Sequence, residues 1–269
     1  MQFKSFFINF LYKLFFFINF KKNFHFRILM LHDINKNNFK NLENNLKCLK
    51  KNYNFIDPSQ LKKDHFPPGK KNLLLTFDDG FKSNFIFAKN FLKKLKIKAV
   101  FFVVSDLINS NNHSKKILIQ NIYPEKKVIR VSKYSIMSWQ DLRILEKMGH
   151  VIGSHTKSHL KLNKIKSTNI LKKEILFPIQ MFKKNKIKKP NFFAYSFGDF
   201  YSFNNKCFNI AKDKYDFIFS GIRGDNTKLN KILFRDNIKD SYTFEMINFF
   251  IQGYADFLYK KFRKILLSF

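Results

Sequence analysis

The sequence predicts an α/β chain folded as one distorted β/α barrel of the (β/α)7 type. Three observations predict it. Short apolar runs alternate with longer stretches of helical periodicity, the pattern of βαβ units and a parallel sheet. Seven such runs fall within about 210 residues, a spacing that suits a closed or nearly closed barrel. No internal repeat and no Gly/Ser linker divides the chain, so a single domain is expected.

The elements follow in order. Residues 1–24 carry an aromatic stripe at helical spacing (Phe3, Phe6, Phe7, Phe10, Leu14, Phe17, Ile18) and read as an amphipathic or membrane-interfacial segment. The barrel domain is expected over residues 25–240. Its strands are expected at 27–32, 72–77, 98–104, 150–153, 191–195, 216–221 and 231–235. A first helix is marked by Phe39, Leu42, Leu46 and Leu49, and others are expected at 84–95, 140–148, 169–184 and 204–214. The polar stretch 106–135, with Asn109, Ser110, Asn111 and Asn112, reads as an inserted loop region. Residues 241–269 read as a C-terminal amphipathic basic helix, with Phe249, Phe250, Tyr254, Phe257 and Leu258 ahead of Lys260, Lys261, Arg263 and Lys264.

Composition narrows the function classes. The 269 residues include 51 Lys and Arg against 19 Asp and Glu, a formal charge of +32. The chain is 45% hydrophobic with 37 Phe, too apolar for a disordered basic tail. Basic residues are spread along the whole chain, and Lys, Asn, Ile and Phe are abundant together, as an AT-rich coding sequence produces. A diffuse solvated surface, rather than a nucleic-acid interface, is the reading this favours; an anionic membrane or substrate suits it better. Cys48 and Cys207 are the only cysteines and fit no disulfide, zinc-ribbon or haem pattern.

In β/α folds the chemistry sits at the C-terminal ends of strands. Those ends hold His32, Asp78, Asp79, His155, His159, Tyr195, Ser196 and Arg235. LLLTFDDG is a buried strand ending in two carboxylates and a glycine. Where such a strand breaks into a turn, one Asp can bind a cation while its neighbour stays free as a base. HVIGSHTKSHL places His155 and His159 four residues apart, a spacing that can present both imidazoles to one metal. Two His and one Asp make a three-ligand set with open positions, the pattern of a catalytic zinc, though non-haem iron uses the same set. His25, His65, His113 and His150 read as surface or loop residues.

TFDDG, SWQDLRILEKMGH, HVIGSHTKSH and FFAYSFGD, with KLKIKAVFFV after the first helix, resemble the polysaccharide deacetylase family. This is carbohydrate esterase family 4, the NodB homology domain. The resemblance runs from about Arg27 to Arg235. It implies a distorted β/α barrel, a divalent metal that is usually zinc, and N-deacetylation of an acetamido sugar. Carried over by position, Asp78 is the general base, and Asp79, His155 and His159 are metal ligands. A backbone N–H near Tyr195 holds the oxyanion, with Ser196 where the family often has Pro.

The family's Arg in this third motif has no counterpart in FFAYSFGD, so Arg235 is expected to steady Asp78. The late Leu-x-His motif is absent, the segment reading LFRDN, so His32 is the candidate for general acid or substrate contact. The expected substrate is a cell-surface glycan or its lipid- or nucleotide-linked precursor. Alternatives are deformylation of a lipid-linked amino sugar and an inactive carbohydrate-binding relative. No small-residue cleavage site follows the aromatic N-terminus, so a cytoplasmic or membrane-face location without a cleavable signal peptide is expected.

Overall fold

A computed structural model of the chain describes residues 25–63, 66, 70–128 and 130–269. The expected N-terminal interfacial segment and His65 lie outside these residues. Among the described residues nine strands form one sheet: β1 (Phe26–Leu31), β2 (Tyr53–Phe55), β3 (Lys71–Phe77), β4 (Ala99–Val103), β5 (Val151–Ser154), β6 (Phe192–Ala194), β7 (Phe217–Phe219), β8 (Ile232–Leu233) and β9 (Asp236–Asn237). Their order is β8-β7-β6-β5-β4-β3-β1-β9, with β2 against the lower part of β3, and every pairing is parallel. The two ends of this order, β8 and β9, are separated in sequence by Phe234 and Arg235 alone. The three Cα steps from Leu233 to Asp236 span at most about 10 Å, so the sheet must curl until its two edges lie within that distance. The expected distorted barrel is the fold observed.

Alternation along the strands sorts side chains onto two faces. Leu74, Val100, Phe102, Phe192, Ala194, Phe219 and Leu233 pack together with Phe26 and Ile28 to fill the barrel. Their neighbours Leu73, Leu75, Phe77, Phe101 and Ile152 point outward against helix residues Leu42, Leu46, Leu142 and Phe182. Burial of each such large apolar side chain contributes about 1.5–3 kcal/mol. Gly153 takes the inward position on β5, where a Cβ would lie 2.4 Å from the Phe102 ring. The barrel interior is therefore packed below its mouth.

The helices Phe39–Asn52, Trp139–Lys147, Thr168–Lys184 and Asn205–Ala211 match the expected periodic stretches. Ser138 and Asp141 form a capping box that starts the second of these, and Ser167 caps the third. Three expectations need correction. Residues 106–135 are not simply a loop, because Asn112–Ile122 is a helix capped by Asn111 that buries Leu118, Ile119 and Ile122. Strands β2 and β9 were not expected, being three and two residues long. The C-terminal stretch is two helices, Phe244–Ile251 and Lys260–Leu267, parted near Gly253 at φ 76°. Its aromatic stripe is divided: Phe249 and Phe250 are buried, while Phe257 and Leu258 are exposed. No helix among the described residues is long and apolar enough to cross a membrane.

Candidate active site

β3 runs inward-outward through Leu74, Leu75, Thr76 and Phe77, so Asp78 is the next residue to face the barrel axis. Its N–H still donates to the Leu31 carbonyl at 2.9 Å. The strand then breaks. Asp79 and Gly80 both take positive φ, 75° and 92°, and the turn swings Asp79 away from the direction of Asp78. Asp is among the few side chains that tolerate this region, and Gly80 has only 3.1 Å between a notional Cβ and Ile108.

The two carboxylates have different partners. Arg235, fully buried on the segment that closes the barrel, grips Asp78 with two parallel bonds, Nη1 to Oδ1 at 2.7 Å and Nη2 to Oδ2 at 2.9 Å. Its Nε donates to the Ser220 carbonyl at 2.8 Å, which fixes the plane of the fork. Burial pushes the Asp78 carboxyl up, but Arg235 and then His155 outweigh it and hold it below the usual carboxylate range.

Asp79 has no hydrogen-bond donor on either buried oxygen. Its Oδ1 instead faces Nε2 of His155 and Nε2 of His159, each at 3.5 Å, longer than a well-formed hydrogen bond. Ligand atoms from the three residues lie within 4.8 Å of one another, all buried. Burial pushes Asp79 up, yet His155, His159 and His32 together outweigh it and hold it at about 2. A buried carboxylate without a donor is costly unless something positive faces it. One carboxylate oxygen and two imidazole nitrogens converging on a common point fit a divalent cation.

The far nitrogens of the histidines are fixed. His155 Nδ1 lies 2.9 Å from the Ala194 carbonyl and His159 Nδ1 lies 3.4 Å from the Asn121 carbonyl. Each contact favours the tautomer that leaves Nε2 free for a metal. The rings differ electrostatically. Burial lowers both, and for His159 it prevails, to about 4. His155 also has Asp78 Oδ2 at 3.9 Å, and the two aspartates carry it above its ordinary value.

His32 is half-buried at the end of β1, and a charge there would favour ionised Asp78 and Asp79 while opposing protonation of His159. It therefore borders the same mouth. Tyr195 does not. Its ring points outward, fully buried and stacked on Phe203 at 3.9 Å, because it shares the outer face with Phe193. Its N–H is spent on the Phe219 carbonyl at 3.1 Å. The Ser196 hydroxyl is likewise spent, donating to the Leu160 carbonyl just after His159. His150, expected as a surface or loop residue, is buried; its Nδ1 accepts from the Ala99 N–H at 3.1 Å, and burial lowers it to about 4. His25 and His113 are exposed, as expected.

Sequence reasoning missed Phe197. Its ring packs on His159 at 4.7 Å, with the Lys161 ammonium 5.0 Å from the same ring. Phe197 and Gly198 have φ of 62° and 68°, and the Phe-Gly pair after a strand was the available signal for this tight turn.

Comparison with known proteins accords with this geometry. A family model described as polysaccharide deacetylase matches residues 66–214, more than half of the chain. The fold is similar to that of IcaB from Ammonifex degensii, with TM-score 0.65 and 18% identity, covering 87% of this chain and 97% of that one. It is also similar to the Streptococcus pyogenes deacetylase PplD, with TM-score 0.63, 18% identity and coverage of 83% and 96%. A de-N-acetylase from Aggregatibacter actinomycetemcomitans gives TM-score 0.65, 18% identity and coverage of 84% and 99%. At these identities the likeness speaks to the fold. No curated protein sequence matches the chain.

Proposed function

Because the chain belongs to the polysaccharide deacetylase family, a family of hydrolases, we propose that it removes an N-acetyl group from an amino sugar. The amino sugar belongs to a cell-surface polysaccharide or to its lipid- or nucleotide-linked precursor. The observation that carries this reading is the division of labour between adjacent aspartates. Asp79 lacks any donor and faces two imidazoles, whereas Asp78 is held ionised by Arg235.

Asp79, His155 and His159 would hold the divalent cation, with Zn2+ the first choice for one oxygen and two nitrogens. When bound, such an ion polarises a carbonyl and lowers the pKa of water. The protein's own groups do the rest. Asp78, charged at neutral pH, accepts a proton from the attacking water, and the Arg235 fork keeps its oxygens aimed. The departing amine needs a proton, and His32, at the same mouth, is the donor assigned here. Because the Tyr195 N–H is committed to the sheet, the oxyanion donor is assigned to the following turn, Ser196 and Phe197.

Asp79→Ala and His155→Ala are expected to lose metal and activity together. Asp78→Asn is expected to retain metal and lose about 10²–10⁴-fold in turnover; substantial deacetylation by that variant would remove its role as base. Mass spectrometry of surface glycan and lipid-linked precursors, with and without the protein, identifies the substrate by the loss of one acetyl group.

We also infer a peripheral position at an anionic membrane face, supported by the +32 charge and by exposed Phe257 and Leu258 beside Lys260 and Lys261. Deleting residues 1–20 should weaken pelleting with anionic vesicles while the barrel stays folded. Unchanged pelleting would dismiss that segment as an anchor.

A further inference from the structure

The loop that carries the two histidines is costly to form. Between His155 and His159 the chain turns through Thr156 at φ 66° and reaches His159 at φ 60°. Neither is glycine, and a β-branched residue is especially disfavoured there. Such a loop keeps its shape only if its surroundings over-determine it. What holds it comes from both sides.

On one side stands Glu174, in the helix Thr168–Lys184. Its carboxylate accepts the Ser158 N–H at 2.9 Å on Oε2 and the Ser158 hydroxyl at 2.6 Å on Oε1. Its own carbonyl accepts the Lys157 N–H at 2.9 Å. On the other side stands Asn121, in the helix Asn112–Ile122. Its Nδ2 donates to the Ser158 carbonyl at 2.8 Å, and its carbonyl faces His159 Nδ1. Within the loop, the His159 N–H donates to Thr156 Oγ1 at 3.0 Å. Ser158, the residue before His159, is thus gripped at its N–H, hydroxyl and carbonyl.

Glu174 is an expensive way to hold a serine. It is 3% exposed, and both of its oxygens are bonded to Ser158 rather than to a cation. Burial pushes its carboxyl up, and the Ser158 bonds only partly offset this. A buried carboxyl without a directly paired cation is not what a stable helix packing requires, since an apolar residue would fill the space at less cost. Its position makes sense if the loop's shape, rather than the helix's stability, is what it serves.

We propose that Glu174 is a positioning residue, which acts through Ser158 to preset the backbone of the histidine loop so that His159 meets Asp79 and His155 before any cation arrives. Glu174 bonds to Ser158 and Lys157 and to none of Asp79, His155 and His159. Its contribution is preorganisation: without it the loop relaxes from the left-handed conformation at His159, and a cation must then pay the cost of ordering that ligand.

The inference rests on reading Asp79, His155 and His159 as a cation site, and the test separates the two. The full chain, stripped by chelation, is titrated with Co2+ alone, recording its dissociation constant, its visible absorption spectrum and the thermal midpoint. Glu174→Ala is expected to bind Co2+ about tenfold more weakly with a changed spectrum. Glu174→Gln, which keeps one acceptor for Ser158, should recover part of the affinity. Ser158→Ala, which removes only the hydroxyl, should shift affinity in the same direction by less. Wild-type affinity and spectrum in Glu174→Ala would overturn the proposal. Should that variant fail to fold, wild-type Co2+ affinity in both Glu174→Gln and Ser158→Ala would do the same. Failure of the unaltered protein to bind Co2+ would instead overturn the cation site itself.

Discussion

Arg235 and Asp236 are neighbours in sequence, and each is buried in an ion pair, yet the two pairs serve opposite ends. Alternation sends Arg235 inward to Asp78 and Asp236 outward to Arg27. The outer system is saturated. Arg27 donates to Asp236 through Nε and Nη2, to Asp256 through Nη1 and Nη2, and to the Phe250 carbonyl. Arg223 adds a contact to Asp236 at 3.3 Å, so two guanidiniums face two carboxylates. The inner system is left short. One guanidinium faces Asp78, and Asp79 beside it has no donor. A closed charge balance ties the C-terminal segment to β1 and β9; the balance at the mouth is left open. Burial and pairing alone do not separate structure from function, but saturation does.

The largest expected effect tests the saturated side. Arg27→Met strands Asp236 and Asp256 in a dry site, and destabilisation of about 3–5 kcal/mol is expected in a denaturant titration. Activity per folded molecule should hardly change. A variant that unfolds normally but turns over poorly would reverse the assignment of the two pairs. Next in size is Arg235→Lys, which keeps the charge and loses the fork. Misaiming Asp78 should reduce turnover about a hundredfold with metal affinity unchanged. Lost stability with full turnover would make this pair structural as well.

What was legible in the sequence was local. The turn after β3 announces itself as FDDG, and the loop after β5 as HTKSH, because each is a contiguous break at the end of a buried strand. The hand of Arg235 on Asp78 was also reachable, since both sit at strand ends of one barrel. Arg27 was not, as its partners lie 209 and 229 residues away and nothing near it signals an ion pair. The Tyr195 ring is a different case. Period-two alternation from Phe192 and Ala194, which line the barrel, already puts Phe193 and Tyr195 outside. The role expected was that of a backbone N–H near Tyr195, and the commitment of the Tyr195 N–H to the Phe219 carbonyl on the next strand could not be read from the local motif. The helix Asn112–Ile122 was hidden because its polar residues and exposed Ile117 blur the apolar period, so the Asn121 clamp could not be seen.

The smallest expected effect sharpens the rule with a group that has no opposite charge in contact. His150 and His155 stand at the two ends of β5, both buried, and shift in opposite directions. His155 faces two aspartates. His150 is lowered to about 4 chiefly by burial, with nearby Lys98 adding to it and Asp57 only partly opposing it. The unfolded chain therefore binds a proton at about pH 6.5 that the folded chain refuses until about pH 4. Well above pH 6.5, where the residue is neutral in both states, it adds no pH dependence. As pH falls from there the unfolded state gains, and stability should drop by about 2 kcal/mol at pH 5 from this group alone. In His150→Gln, whose amide oxygen can still accept from the Ala99 N–H, that part of the slope should vanish from urea titrations taken between pH 7 and 5. An unchanged slope would mean that His150 takes up its proton in the fold as readily as in the unfolded chain, and that burial does not lower it.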